Sequence, residues 1–128
     1  MAPGKSRRVL GEQGERLAEE FLRKLGCKIL RRNWHSRLGE IDLIARDGDE
    51  VVFVEVKLRS TADWGDPQEA VHPGKQRSIC LAASEFADRN RLHGHTLRFD
   101  IVAVLLPDGG EPEIRHYKDA FPIVRPAS

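Results

Sequence analysis

The segment Val51-Val52-Phe53-Val54-Glu55-Val56-Lys57-Leu58-Arg59 constrains the fold of this chain more than any other. A run this rich in valine and phenylalanine, bounded by turn-forming residues, reads as a β-strand. Alternate side chains of a strand leave on opposite faces, so Val52, Val54, Val56 and Leu58 make one wholly apolar face. Val51 and Phe53 share the other face with Glu55, Lys57 and Arg59. Such a strand belongs in the middle of a covered sheet. A carboxylate and an ammonium are costly there unless they are paired or bound to a metal.

The preceding segment supplies a second acid. Glu40–Arg46 reads as a strand, joined to the first by the hairpin turn Asp47-Gly48-Asp49-Glu50. With a four-residue loop, Arg46 faces Val51, Ile44 faces Phe53 and Asp42 faces Glu55, and opposed Cβ atoms lie roughly 5 Å apart. A one-residue slip would move Asp42 to the diagonal. Like charges opposed in a sheet repel, and a divalent cation with hard oxygen ligands relieves that repulsion. Mg²⁺, with Mn²⁺ as substitute, is the expected ion. Held by Asp42 and Glu55, it could bind a scissile phosphate and lower the pKa of a water. Lys57 would orient that water or offset the growing charge. The competing reading makes Glu55 and Lys57 a cross-strand ion pair on a solvent face.

Two helices flank these strands. Leu10, Leu17, Ala18, Phe21, Leu22 and Leu25 fall at helical spacing from Val9 to Leu25, with Gly26 as the C-terminal cap. Glu15 is the acid nearest that apolar stripe, placed to hold a metal-bound water. It reads equally as a helix-surface acid beside Arg16 and Glu19. Pro73 opens a second helix running to about Asn90, with Gln76, Ile79, Cys80, Ala83, Phe86 and Ala87 on one face. Gln76 could hydrogen-bond near the phosphate or the lysine, or be a helix-boundary polar residue. Strands are expected over Lys28–Trp34 and Leu97–Leu106, with a short edge strand over Ile114–Lys118 and a loop from Trp64 to Val71. The order is αβββαβ, a mixed sheet with helices packed on it.

Length and composition fit one ordinary domain of 128 residues, with a core over about 9–121, a basic tail 1–8 and a loose tail 122–128. No apolar run approaches a membrane span, and nothing resembles a signal peptide. Cys27 and Cys80 are a poor disulfide framework and a poor zinc site, so a reducing cytoplasm and two core-type thiols are expected. His93 and His95 lack further ligands at zinc spacing. Trp34 and Trp64 could stack on bases or pack under loops. Net charge is only +1, but residues 1–37 hold ten Lys/Arg against four Asp/Glu. That asymmetry allows a basic face despite a neutral whole, and it also fits ordinary solvated charges. Lys28, Arg31, Arg32 and Arg37, with Arg59 on the Glu55 face, are the candidate nucleic-acid contacts.

The run Gly39-Glu40-Ile41-Asp42-Leu43-Ile44-Ala45, followed by Val52-Phe53-Val54-Glu55-Val56-Lys57-Leu58-Arg59, resembles the small bacterial YraN-like family of predicted endonucleases. Gly14-Glu15-Arg16-Leu17-Ala18 and Arg98-Phe99-Asp100-Ile101-Val102 extend the resemblance from about residue 9 to Phe121. That family is placed in the restriction-endonuclease-like PD-(D/E)xK superfamily, near the archaeal Holliday junction resolvases. The resemblance implies an α/β fold with a restriction-endonuclease-like αβββαβ core. It implies metal binding by Asp42 and Glu55 with the Val56 carbonyl, Lys57 as catalytic lysine and Glu15 as the helix acid. Glu40 and Asp100 also match, Asp100 as a candidate partner of an arginine. His72 stands where relatives more usually carry a Thr or Asn helix cap. Junction-resolving relatives act as dimers, so a homodimer is an expectation of the resemblance alone. The expected activity is Mg²⁺-dependent hydrolysis of phosphodiester bonds in DNA, with branched or damaged structures as candidate substrates. The rivals are a nucleic-acid-binding module that keeps the fold without cleaving, and a protein-interaction domain whose site charges are only ion pairs.

Overall fold

A computed structural model defines residues 7–59, 71–92, 94–107 and 109–122. The helical spacing of the first segment becomes α1, Arg7–Lys24, which begins two residues before Val9 and so takes Arg7 and Arg8 from the expected basic tail. Gly26 ends it at φ 96°, a region that side chains rarely enter, and the Cys27 amide donates back to the Leu22 carbonyl at 3.0 Å. Three strands follow: β1 (Lys28–Ser36), β2 (Gly39–Asp47) and β3 (Glu50–Arg59). Pro73 opens α2, Pro73–Arg89, with His72 at the N-cap making no side-chain cap bond. Strands β4 (Thr96–Leu105) and β5 (Glu113–Tyr117) complete a sheet ordered β1-β2-β3-β4-β5.

The β3–β4 pair is parallel and the other three are antiparallel, so α2 is the crossover of a βαβ unit in a mixed sheet. β3 lies at the centre, as its apolar faces require. Val52 and Val54 pack with Ala18 and Leu22 of α1, and Val51 and Phe53 pack with Ile79, Ala83 and Phe86 of α2. Burying each such aliphatic or aromatic side chain contributes about 1.5–3 kcal/mol. The turn is tighter than the expected four-residue loop. Asp47 pairs with Glu50 directly, and Gly48 turns the chain at φ 62°. The register is the one anticipated as far as it runs, with Arg46 opposite Val51 and Ile44 opposite Phe53, but the ladder ends at Leu43 opposite Val54, so the expected pairing of Asp42 with Glu55 does not form.

At the other end of β2 the backbone lies against α2. A Cβ on Gly39 would sit 3.0 Å from the Ser78 carbonyl oxygen, which is helix backbone and cannot step aside. Gly39→Val is therefore expected to destabilise the fold by about 1–3 kcal/mol in a urea titration.

Asp100 is the arginine partner that its position suggested. Wholly buried on β4, it takes Arg98 Nε at 2.9 Å on Oδ1 and Arg98 Nη2 at 3.0 Å on Oδ2. His116 Nε2 of β5 lies 2.7 Å from Oδ2, and the Asp119 amide donates to Oδ1 at 3.0 Å. Arg98 extends Nη1 to Asp47 and Glu50 at 3.2 and 2.9 Å, tying the β2–β3 turn to β4. Buried charge is tolerated here because almost every donor and acceptor is used.

Both cysteines are free and buried, as read from their spacing. Trp34 packs edge-on against Phe86, ring centroids 5.4 Å apart, which is the packing role. His95 Nδ1 lies 3.1 Å from the Asp49 carbonyl oxygen. His93, Trp64 and residues 64–70 of the expected loop lie outside the described residues. Among the described residues, no helix is long and apolar enough to cross a membrane.

Candidate active site

The site forms where β2 parts from β3. The β1–β2 ladder runs on to Ser36 opposite Gly39, whereas the β2–β3 ladder ends at Leu43 opposite Val54. Just beyond that last pair the strands change face. Asn33 of β1 has φ 48° and stands between the pairs Arg32–Leu43 and Trp34–Ile41. Leu43 packs in the α1 core, yet Ile41, two residues away, packs in the α2 core. Arg32 likewise bonds Glu19 of α1, while Trp34 meets Phe86 of α2. Residues two apart in a regular strand share a face, so the chain reverses at the Asn33–Asp42 step. Asp42 spans the opening that results: its Oδ2 accepts the Val56 amide of β3 at 2.8 Å.

Glu55 stands next to that amide and is only 5% exposed. Its Oε1 receives two ammonium groups, Lys75 of α2 at 2.6 Å and Lys57 of β3 at 3.6 Å. Glu15 enters from α1 on the side of Asn33. Burial raises its carboxyl pKa first, the Asn33 side chain opposes this, and Glu12, Glu40 and Glu55 push it further up. Glu15 also lines an open cleft of about 520 Å³ with Glu12, Arg16, Glu19, Arg32, Asn33 and Leu43.

Asp42 carries the clearest electrostatic signature. Its carboxyl is pushed up to about 7 from its ordinary 3.8, by burial first and then by the Glu55 charge, with Glu15 adding to them. The Val56 amide and Lys75 oppose the rise without cancelling it. A carboxyl with a raised pKa holds its proton more tightly folded than unfolded, so stability falls as pH rises from about 4 to about 7 and is level above. Asp42→Asn keeps an oxygen for the Val56 amide and removes the charge. Metal-free Asp42→Asn should therefore melt higher than wild type at pH 8, by on the order of 2 kcal/mol, with no difference near pH 4. Thermal melts at the two pH values check this.

Asp42 and Glu55 offer hard oxygen donors of the kind a divalent cation prefers, and Mg²⁺ is commonly held by one or two carboxylates with water and phosphate completing its shell. Among the described residues, no three His, Cys, Asp or Glu side chains gather into a ready-made metal cage. The fit is therefore to a two-carboxylate site that borrows ligands from water and substrate. Val56 meets the site through its N–H, the contact with Asp42. Gln76 donates its side-chain amide to the Val71 carbonyl at 2.7 Å, inside the turn that starts α2. Glu40 is exposed and pairs with His35 at 3.2 Å. Of the basic candidates, Lys28, Arg31 and Arg37 are exposed and Arg32 is paired with Glu19. Arg59 is half-buried and donates to the Leu58 carbonyl at 3.3 Å.

Lys75 is the site residue that sequence reasoning missed. A lysine two residues into a helix reads as solvated surface. The available signal was its place in the first turn, where the helix dipole disfavours a cation unless an acid faces it.

Fold and site together define a small α/β protein with a five-stranded mixed sheet and an acid–lysine cluster at the splayed centre of that sheet. The chain belongs to the family described as "Uncharacterised protein family UPF0102", which it matches over residues 14–104. It is 48% identical over 113 residues to a "UPF0102 protein" of Rhodococcus opacus (strain B4), covering 88% of this chain and 96% of that one. It is 49% identical over 114 residues to a "UPF0102 protein" of Geotalea daltonii (strain DSM 22248 / JCM 15807 / FRC-32), covering 89% and 90%. A "UPF0102 protein" of Anaeromyxobacter dehalogenans (strain 2CP-C) is 43% identical over 118 residues, covering 92% and 87%.

Proposed function

We propose that this chain is a Mg²⁺-dependent endonuclease of the restriction-endonuclease-like PD-(D/E)xK superfamily, acting on DNA. The observation that carries the reading is Asp42 reaching across the parted strands to Val56, beside a buried Glu55 with Lys57 at 3.6 Å. Mg²⁺ bound there would supply a Lewis acid for the scissile phosphate and a water of lowered pKa. Asp42 and Glu55 would hold it, Asp42 fixed in orientation by the Val56 amide. Lys57, with its ammonium tethered at Glu55, is placed to orient the attacking water or to offset negative charge on the phosphate. Glu15 can accept a hydrogen bond from a water on the α1 side. Incubation with branched, single-stranded and duplex DNA in Mg²⁺ or Mn²⁺ is expected to yield cut products from at least one substrate. Intact DNA throughout would defeat the enzymatic reading.

One observation favours a second reading. Lys28, Arg31 and Arg37 are exposed on β1 and the turn after it, away from the Glu55 ion pairs, which fits a fold that binds nucleic acid without cutting it. Lys28, Arg31 and Arg37 would then provide a salt-sensitive electrostatic surface. Retained DNA binding in Lys57→Ala, with no cleavage by either protein, would select it.

A further inference from the structure

Two lysines share one oxygen of Glu55, and the closer is not the strand lysine of the proposed chemistry. Lys75 Nζ lies 2.6 Å from Oε1, against 3.6 Å for Lys57. Its side chain is 38% exposed while that of Glu55 is 6% exposed, so Lys75 reaches inward from the surface to a buried acid. The first turn of α2 contains no acid and offers a cation no dipole stabilisation. Burial alone would lower the Lys75 pKa, but the bond to Glu55 and the charges of Glu55, Asp42 and Glu40 more than offset it and keep the ammonium charged.

We propose that Lys75 is the resident counter-cation of the Asp42–Glu55 pair, holding Glu55 while no metal is bound and leaving it when a divalent cation takes the site. This rests on the metal-binding reading above and adds a residue that governs loading. An ammonium at hydrogen-bond distance and a Mg²⁺ ion at its usual ~2.0–2.1 Å from the same carboxylate repel strongly at the reduced dielectric of a half-buried site. Lys75 therefore competes with the ion, and metal affinity is lower with it than without it. A lysine that merely stabilised the fold would stay on Glu55 when metal is added, and its accessibility would not change.

The test is Mn²⁺ titration calorimetry on wild type, Lys75→Gln and Lys75→Arg, with Asp42→Asn as control. Glutamine can still donate to Oε1 without charge, and metal-free melting curves verify folding. Lys75→Gln is expected to bind Mn²⁺ about tenfold tighter, a change of the size that removing one nearby charge produces. Lys75→Arg should stay near wild type. A second measurement needs no variant: acetic anhydride labelling of wild type, read by mass spectrometry, should mark Lys75 severalfold more when Mg²⁺ is added. If wild type binds Mn²⁺ and Lys75→Gln binds it equally or more weakly, the competition is wrong and the Asp42–Glu55 site stands. If wild-type Lys75 labelling is unchanged at saturating Mg²⁺, the displacement is wrong. If no protein gives Asp42-dependent heat, both readings fall.

Discussion

Lys57→Ala should slow DNA cleavage by about 10²–10³-fold while the protein stays folded, the loss expected when one preorganised cationic donor is removed from a charge-building step. Lys57 is well suited to this separation of activity from stability. Its partner Glu55 retains Lys75 at 2.6 Å, so no buried carboxylate is left without a cation. Asp42→Ala should be at least as severe, because one of the two carboxylates proposed to hold the metal is lost, and it also leaves the Val56 amide without its acceptor. Glu55→Gln is preferable to Glu55→Ala as the third variant, since it preserves volume at a position only 5% exposed. Cleavage time courses on the best DNA substrate, with circular dichroism on each variant, measure all three. Activity within threefold of wild type in Lys57→Ala would remove that lysine from the mechanism.

The largest stability effect is expected away from the site. Asp100→Ala should cost about 3–5 kcal/mol, the range for breaking a buried ion pair by removing one partner. Arg98 would keep Asp47 and Glu50 but lose two bonds in a place where it is only 7% exposed. His116 and the Asp119 amide would lose their acceptor as well. For a domain whose total stability is of the order of 5–15 kcal/mol, that loss is a large fraction. The pH dependence has the opposite sign to that of Asp42. Burial alone would raise the Asp100 carboxyl pKa, but bonds from His116, Arg98 and the Asp119 amide lower it below its ordinary 3.8. A depressed carboxyl stabilises the fold above the unfolded pKa, and that stability is lost as pH falls through the folded value. Urea titrations should therefore separate wild type from Asp100→Ala widely at pH 7, with the gap narrowing below pH 4.

Much of this architecture was legible in the sequence because it rests on local rules. The alternation of Val51–Leu58 announces a strand covered on both sides, and Gly26, Gly48 and Pro73 mark turns by what their backbones can do. The β2–β3 register followed from the turn alone, since a two-residue and a four-residue loop around Gly48-Asp49 give the same pairing. The site was legible as far as the same strand pair extends. What it did not reveal is the reversal at Asn33 and Asp42. A non-glycine residue at φ 48° is a tertiary choice, made here by helices claiming opposite faces of β1. The simple expectation of two side chains facing each other therefore became a carboxylate bridging a gap between strands. Lys75 was hidden for a related reason: its contact depends on where α2 crosses the sheet, across a sequence separation of 20 residues from Glu55.

The proposal that Asp42 and Glu55 bind a common cation is tested most directly by soaking crystals in Mn²⁺ and recording anomalous diffraction. The account predicts a strong peak bonded to both carboxylates, with the Lys75 ammonium no longer on Glu55 Oε1. A well-diffracting soaked crystal with no peak there, or with manganese bound only elsewhere, would contradict it.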